Sequence, residues 1–287
     1  MRCKRRLFFD LTSNNVKELI KNIIRFTNIY GTYECCFVAI IAAILMTSFH
    51  SSEVSAAPEE IEVYLDDFTE PGKVGLDLHL NYVTSDQPEV SPDQSTYHQF
   101  RATPELSYGI NQNWEMAAYW LTSRYPDGSL LSDGVKLRMK WRPNAPSPGS
   151  IFYWAINFEA GQLSPRFYSD EVSGEIKLIG VLRVNPWTLG VNVNFDRALK
   201  SNPSQGMTLE VDSKISYRIM KDWEVGIENY GYLGEIQNNT GMDEGYQATY
   251  LVSDIELDKW DLNLGIGYAS GQTSDKTVLK AIVGFPF

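Results

Sequence analysis

Hydrophobic and polar residues alternate with a period of two along most of the chain after residue 72. In the stretch 260–269, for example, Trp260, Leu262 and Leu264 fall on one face and Asp261 falls on the other. No part of this region shows the sustained 3.6-residue period of a helix. A period of two predicts β-strands that have one apolar and one polar face.

Twelve such segments follow one another, each near the length that a tilted strand needs to cross a bilayer. They cover residues 73–84, 98–110, 114–123, 134–142, 151–162, 174–184, 187–197, 207–219, 223–232, 246–257, 260–270 and 276–287. Short connections such as Asn185-Pro186 alternate with long ones such as 233–245. This pattern is typical of outer-membrane barrels. We therefore predict an all-β fold, a transmembrane antiparallel β-barrel of about twelve strands in residues 73–287.

Aromatic residues recur at the same place in successive hairpins. Trp114, Trp187, Trp223 and Trp260 each open a predicted strand after a short turn, and Phe152 and Tyr153 fill the equivalent place in another hairpin. In a barrel this row predicts an aromatic girdle at one membrane interface. An outer girdle is predicted from Tyr82, Phe100, Trp120, Tyr232 and Tyr268. A repeat of 35 to 38 residues is also typical of solenoids and propellers, but the segments share no further motif.

The first part of the chain has the composition of an export signal. Residues 36–46 are apolar but too short to span a bilayer, basic residues precede them, and Val54-Ser55-Ala56 fits a cleavage site. We predict a signal peptide over residues 1–56 with an extended n-region; an uncleaved anchor helix is the alternative. All three cysteines lie in this leader, so the predicted mature chain needs no disulfide bond.

The last predicted strand alternates to a terminal Phe287. This end resembles the terminal strand of bacterial outer-membrane barrels, a resemblance that implies recognition by the barrel assembly machinery. The expected location is the bacterial outer membrane, with its lipids as partners. The alternative is a soluble secreted β-sandwich or a lipocalin-like barrel, which would bury one apolar face in a core.

One hairpin carries a family resemblance. The stretch 104–116, PELSYGINQNWEM, resembles a hairpin of the outer-membrane family labelled "putative MetA-pathway of phenol degradation", and Lys221-Asp222-Trp223-Glu224-Val225-Gly226 resembles the same turn. The shared elements are an inward Glu before a Tyr-Gly turn and an aromatic-Glu pair that opens the next strand. The resemblance implies a transporter-like barrel over 73–287 and transfers no functional residue.

Charged residues occupy the polar face of several predicted strands. The formal net charge of −11 argues against nucleic-acid binding, which needs clustered Lys and Arg. The candidate lumen-facing residues are Arg101, Glu105, Glu115, Lys136, Arg138, Lys140 and Glu159. They have two interpretations: paired neighbours that fill a narrow lumen, or a polar pathway whose basic stripe selects solutes.

Enzymatic features are scarce. After the leader the chain has only His79 and His98 and no cysteine, so no catalytic, metal or cofactor site is predicted. The acidic segment 57–72 is predicted to be a periplasmic N-terminal segment: a tether, a docking strand or, most simply, a solvated tail. The predicted function is a pore or transporter for a small solute; the alternative is a closed structural or adhesion barrel.

Overall fold

A computed structural model of the protein describes residues 60–86, 96–125, 127–145, 149–164, 172–200, 206–236, 246–271 and 275–286. The predicted signal peptide and Phe287 lie outside these ranges. Within the described ranges, no helix is both long and apolar enough to cross a bilayer.

The described residues form twelve β-strands, as predicted. The strands are β1 (Val74–Asp86), β2 (Phe100–Gly109), β3 (Trp114–Arg124), β4 (Leu130–Trp141), β5 (Phe152–Leu163), β6 (Val172–Val184), β7 (Trp187–Ala198), β8 (Thr208–Met220), β9 (Trp223–Glu235), β10 (Tyr246–Glu256), β11 (Asp261–Gly271) and β12 (Asp275–Pro286).

Each strand pairs with its neighbours in sequence, and β1 pairs with β12 to close the barrel. All pairs are antiparallel; at the closing seam Leu78 lies opposite Val283. Closure pairs the backbone groups that an open sheet would leave at its edges, which a membrane-spanning sheet requires. The predicted fold, a twelve-stranded antiparallel β-barrel of the outer-membrane type, is confirmed.

Side chains alternate between the two faces of the wall. In β3, Met116 and Trp120 are exposed on the outside, whereas Glu115 and Tyr119 are buried inside. The outer surface is therefore apolar and the inner surface carries most of the charge, the reverse of a soluble protein.

Aromatic residues ring the short-turn end of the barrel as predicted, with one exception. Trp114 packs against Trp141, and Trp141 packs against Trp154 in an edge-on geometry at 5.7 Å between ring centroids. The exception is Tyr153, which is buried inside, because Trp154, one residue along the strand, takes the outward position.

The outer girdle also needs a correction. Tyr232 stacks on the buried Tyr246, with ring centroids 5.7 Å apart, and so belongs to the inner face. Tyr232 lies nine residues after the outward Trp223, so the period of two itself places it inside, and the prediction for this residue was wrong. A register shift opposite Gly134 coincides with the early start of β4 at Leu130 instead of residue 134. Bulges of this kind break the simple period of two that located the strands.

The acidic segment before β1 is not a solvated tail. Residues 60–70, here called the luminal segment, lie inside the barrel, with Ile61 and Tyr64 only 2% and 4% exposed. They contact inward side chains of strands on opposite sides of the wall, such as Arg183 of β6 and Lys280 of β12. Because these strands are far apart in the sheet, only the lumen brings one segment within reach of both.

Two glycines let the luminal segment turn into β1. Gly72 has a φ of +78°, a conformation that favours glycine, and its amide donates to Gly109 O at 2.7 Å. A Cβ at Gly109 would lie 2.2 Å from Glu70 O, so the chain can cross β2 here only over a residue without a side chain. The luminal segment thus runs from the middle of the lumen to the short-turn end of the wall.

Candidate functional site in the lumen

Side chains of the wall hold the backbone of the luminal segment. Tyr64 N donates to Asn192 Oδ1 at 2.7 Å, and Asn192 Nδ2 donates to Tyr64 O at 2.9 Å. Lys280 Nζ donates to Ile61 O at 2.9 Å, and Lys140 Nζ donates to Asp67 O at 3.1 Å. A single extended segment has no strand partner of its own, so these side chains satisfy backbone groups that would otherwise be buried without a partner.

The basic stripe of β4, formed by Lys136, Arg138 and Lys140, is neutralised by carboxylates. Arg138 Nη2 lies 2.6 Å from Glu105 Oε1 and 2.6 Å from Glu115 Oε1. Lys140 Nζ lies 3.5 Å from Glu115 Oε1. These pairs join β4 to β3 and to β2 across the inner surface.

Lys136 extends the stripe toward the luminal segment. Its Nζ lies 3.2 Å from Glu159 Oε2 and 3.1 Å from Glu60 Oε2. Each cation of the stripe therefore has at least one carboxylate partner, and one of these carboxylates comes from the luminal segment.

Tyr64 lies among these cations. The Nζ of Lys177 is 4.4 Å from the centre of its ring, and the Arg138 guanidinium carbon is 5.3 Å away. Both distances are in the range of a cation–π contact. The hydroxyl of Tyr64 is 2.9 Å from that of Tyr119 on β3. The side chain of Tyr64 is therefore held through its ring and through its hydroxyl.

Burial and charge act in opposite directions on Glu60, which lies outside the membrane-spanning strands. Burial raises the pKa of its carboxyl, but the positive charges of Lys136 and His79 lower it, and the net pKa lies well below the ordinary value. The Tyr64 hydroxyl adds a hydrogen bond to Glu60 Oε1. Glu60 is therefore charged in the lumen over the whole physiological pH range.

Further ion pairs hold the luminal segment at other points of the wall. Arg183 Nε donates to Asp66 Oδ2 at 2.9 Å. On the opposite side, Lys214 Nζ lies 3.0 Å from Glu228 Oε1, and Lys280 pairs with the other oxygen of Glu228. The inner face thus carries two charged clusters with the luminal segment between them.

A small polar cavity of about 80 Å³ remains between the luminal segment and β1 to β4. Its lining includes Glu62, Asp77 and Glu105 together with Arg138 and Lys140. A water molecule takes about 30 Å³ of liquid volume, so the cavity is too small for most organic solutes.

Six of the seven candidate residues form one cluster: Glu105, Glu115, Lys136, Arg138, Lys140 and Glu159. Arg101 lies apart from them, where its Nη1 is 2.7 Å from Asp275 Oδ2 of β12. This ion pair reaches across β1 and so links β2 with β12, on the other side of the closing seam. A solute pathway through the cluster stays a prediction.

The sequence did not reveal the residues of the luminal segment as partners of the cluster. Glu60, Tyr64 and Asp66 looked like parts of an acidic tail, and their partners lie up to 128 positions away along the chain. A signal was present, because Ile61 and Val63 are apolar residues at alternate positions within the acidic run.

Comparison with solved structures returns outer-membrane barrels. The "COG4313 outer membrane channel from Pseudomonas putida F1" has a TM-score of 0.52 and 9% identity, over 79% of this chain and all of that one. The "KdgM porin in complex with disordered oligogalacturonate" has a TM-score of 0.50 and 10% identity, over 74% of this chain and 99% of that one. The NanC porin has a TM-score of 0.50 and 12% identity, over 74% of this chain and 98% of that one.

No family model matches the chain, and no curated protein matches it. The resemblance to the family labelled "putative MetA-pathway of phenol degradation" therefore stays a prediction. At identities near 10%, the solved structures show the fold alone: an outer-membrane β-barrel of the kind that porins and channels adopt.

Proposed function

We propose that this protein is an outer-membrane channel for a small polar solute, and that the channel opens when the luminal segment leaves its place in the barrel. The observation that carries the proposal is the position of residues 60–70 inside the wall, where polar side chains hold them. Ile61 and Val63 also pack in one buried apolar cluster and Tyr64 packs in another, so the segment is held by both polar and apolar contacts.

The chemistry of the contacts supports a movable segment. Ion pairs and hydrogen bonds to Glu60, Tyr64 and Asp66 can be replaced by water or by the polar groups of a solute, at little net cost in free energy. The packed side chains of Ile61 and Val63 have no such substitute, so their exposure is the main cost in free energy of opening. The solved neighbours include porins, one of them in complex with oligogalacturonate, which supports a polar solute.

The paired stripe of β4 favours a low resting conductance. With Arg138 held between Glu105 and Glu115, the stripe has little free charge to attract ions. We therefore expect the wild-type protein to conduct in brief openings and not as a permanently open pore.

A disulfide bond between the luminal segment and the wall tests the proposal. A Cβ built at Gly190 lies 3.9 Å from Leu65 Cγ, so the double variant Leu65→Cys/Gly190→Cys brings two thiols within reach of each other. The predicted mature chain has no other cysteine. Single-channel currents of the refolded variant are measured in planar bilayers before and after reduction.

We expect the oxidised double variant to stay closed and the reduced one to open. The single variant Leu65→Cys is the control, and its currents should not depend on the redox state. Equal currents in the oxidised and reduced double variant would show that the segment is not the gate. No current in the wild type or in the reduced variant would favour the closed structural or adhesion barrel.

A further inference from the structure

The carboxylate of Asp66 in the luminal segment is held by one arginine of the wall. The Nε of Arg183 on β6 lies 3.0 Å from one carboxylate oxygen and 2.9 Å from the other, and its Nη2 also donates to Oδ1. A guanidinium binds carboxylates with this planar, two-pronged geometry. Within the described ranges, Asp66 is the one carboxylate that forms an ion pair with Arg183. When the segment leaves, Arg183 therefore loses its ion-pair partner.

The wall orients Arg183 independently of the segment. Its Nη1 donates to the hydroxyl of Thr188 at 3.2 Å, and Thr188 lies directly opposite Arg183 in the pairing of β6 with β7. Glu224 on β9 also acts electrostatically on Arg183, but its carboxylate is paired with Arg218 at 2.7 Å. Because the Arg183 side chain is 35% exposed, a solute in the lumen can reach it once Asp66 has gone.

Two further groups near Asp66 can bind an anion. Arg142 lies with its guanidinium carbon 3.8 Å from the centre of the Phe68 ring, and it forms no ion pair with a carboxylate of the described residues. Tyr153 is 6% exposed, and its hydroxyl has no hydrogen-bond partner in the part of the chain that the structure describes. Both Arg142 and Asp66 lie within electrostatic range of this hydroxyl. A buried hydroxyl without a partner calls for an explanation such as a ligand.

These three wall groups are neighbours at the short-turn end of the lumen. Arg142 directly follows β4, Tyr153 is the second residue of β5, and Arg183 is the last but one of β6. Tyr153 lies opposite Val181, which shares the inner face with Arg183 two residues further on. We call Arg142, Tyr153 and Arg183 the mouth site. Without the luminal segment, this site presents two guanidinium groups and one hydroxyl to the lumen.

We propose that the mouth site binds the carboxylate of a small organic anion, and that Asp66 takes the place of this solute while the luminal segment lies in the barrel. The inference rests on the proposed function and names the class of solute. Solute and Asp66 compete for Arg183, so the solute binds after the segment has left and favours the open state by mass action. The exchange of one carboxylate for another keeps the charge of Arg183 neutralised in both states, which water alone does not do.

Hydrogen–deuterium exchange in a peptide that covers residues 60–70 tests the competition in the refolded wild-type protein. The probe is sodium succinate, which is small and carries two carboxylates for the two guanidinium groups, and its neutral analogue is succinamide. NaCl balances the ionic strength, because salt alone weakens exposed ion pairs. At a succinate concentration about ten times its Kd, we expect roughly tenfold faster exchange. Succinamide should leave the exchange rate unchanged.

Two variants remove the ion pair from opposite sides. Arg183→Gln removes the guanidinium, and Asp66→Asn removes the carboxylate that competes with the solute. In both variants exchange should be fast from the start and should no longer respond to succinate. A shift of gel mobility on boiling shows that each variant has folded. Should Arg183→Gln not fold, Asp66→Asn still tests the site, because Asp66 lies in the segment and not in the wall.

The matched control is Lys221→Gln. It removes a positive charge at the same end of the barrel, from a side chain that is 93% exposed and lies 3.9 Å from Asp222. Succinate should accelerate exchange in this variant as it does in the wild type. Loss of the succinate effect in this control would overturn the inference, because succinate would then act through surface charge.

Exchange that responds alike to succinate, succinamide and NaCl would also overturn the inference, and so would a succinate effect that survives in Arg183→Gln or Asp66→Asn. The currents of the Leu65→Cys/Gly190→Cys variant separate the two proposals. Redox-dependent currents without a succinate effect would keep the channel and reject a carboxylate as its solute. A succinate effect without any current would keep the mouth site and reject the channel.

Discussion

Asn192 on β7 pairs with both backbone groups of Tyr64, accepting from its N–H at 2.7 Å and donating to its C=O at 2.9 Å. A side-chain amide here does what a neighbouring strand does in a sheet. The pair fixes the register of the luminal segment against the wall, because a shift by one residue would turn Tyr64 away from Tyr119.

Asn192→Leu should therefore loosen the luminal segment and leave the barrel intact. Leucine has a similar volume but leaves two buried backbone groups unpaired, at about 1–3 kcal/mol each. We expect faster hydrogen–deuterium exchange in a peptide that covers residues 60–70. Asn229→Leu is the control, because Asn229 bonds to Ala248, Thr249 and Gln247 of the wall and, among the described residues, to no part of the luminal segment. Unchanged exchange in the Asn192 variant would contradict this role.

Gly109→Ala should disturb the point where the luminal segment leaves the barrel. The new methyl group would lie 2.2 Å from Glu70 O and 2.4 Å from Thr69 O, so the backbone has to move. We expect tryptic cleavage after Lys73 to become roughly tenfold faster, which corresponds to about 1.4 kcal/mol of easier local opening. Gly231→Ala, whose methyl group would meet only Val211 O at 3.4 Å, should cleave like the wild type.

Arg138→Met should destabilise the whole barrel. It leaves the buried carboxylates of Glu105 and Glu115 without their shared guanidinium, and breaking a buried pair costs about 3–5 kcal/mol. Urea unfolding of the refolded protein measures the loss, which an added Glu105→Gln should partly reverse. Lys221→Met, at a side chain that is 93% exposed, should change the free energy of unfolding by less than about 0.5 kcal/mol.

Leu264→Arg tests the outward facing of the apolar stripe. Leu264 is 42% exposed on the outer surface, is the fourth residue of β11, and lies opposite Ser253 and Ala281. An arginine near the midplane of a bilayer should cost about 2–4 kcal/mol of barrel stability in vesicles. Met220→Arg, at the short-turn end of β8, should cost about 0–1 kcal/mol. Equal costs at the two positions would mean that Leu264 does not face lipid.

The strands of the wall could be predicted from the sequence because the residue pattern that specifies each strand lies within that strand and its turns. Alternation along each strand and an aromatic residue after each short turn, as at Phe152, Trp187 and Trp223, are enough to place twelve strands. The errors fall where an irregularity interrupts the period, as at Gly134. They also fall where two aromatics are adjacent, as at Tyr153 and Trp154.

The candidate site could be predicted only in part. Inward charges such as Arg138 and Glu115 follow from the same alternation, and their pairing follows from strand order. The luminal segment has no strand partner and no repeat, and its contacts with Asn192 and Lys280 span more than a hundred residues. Nothing in a local pattern specifies such contacts, so the acidic run by itself predicts a solvated tail.

The position of the luminal segment next to β1 has a consequence for assembly. The segment is continuous with the first strand, and the last strand closes the barrel against that same strand, so the segment enters the wall at the closing seam. If the barrel closed first, the segment and its charged residues, such as Asp66, would have to enter through the open end of the barrel. This step is avoided if the sheet curves around the segment before β1 pairs with β12. The segment then acts as a template on which the barrel forms.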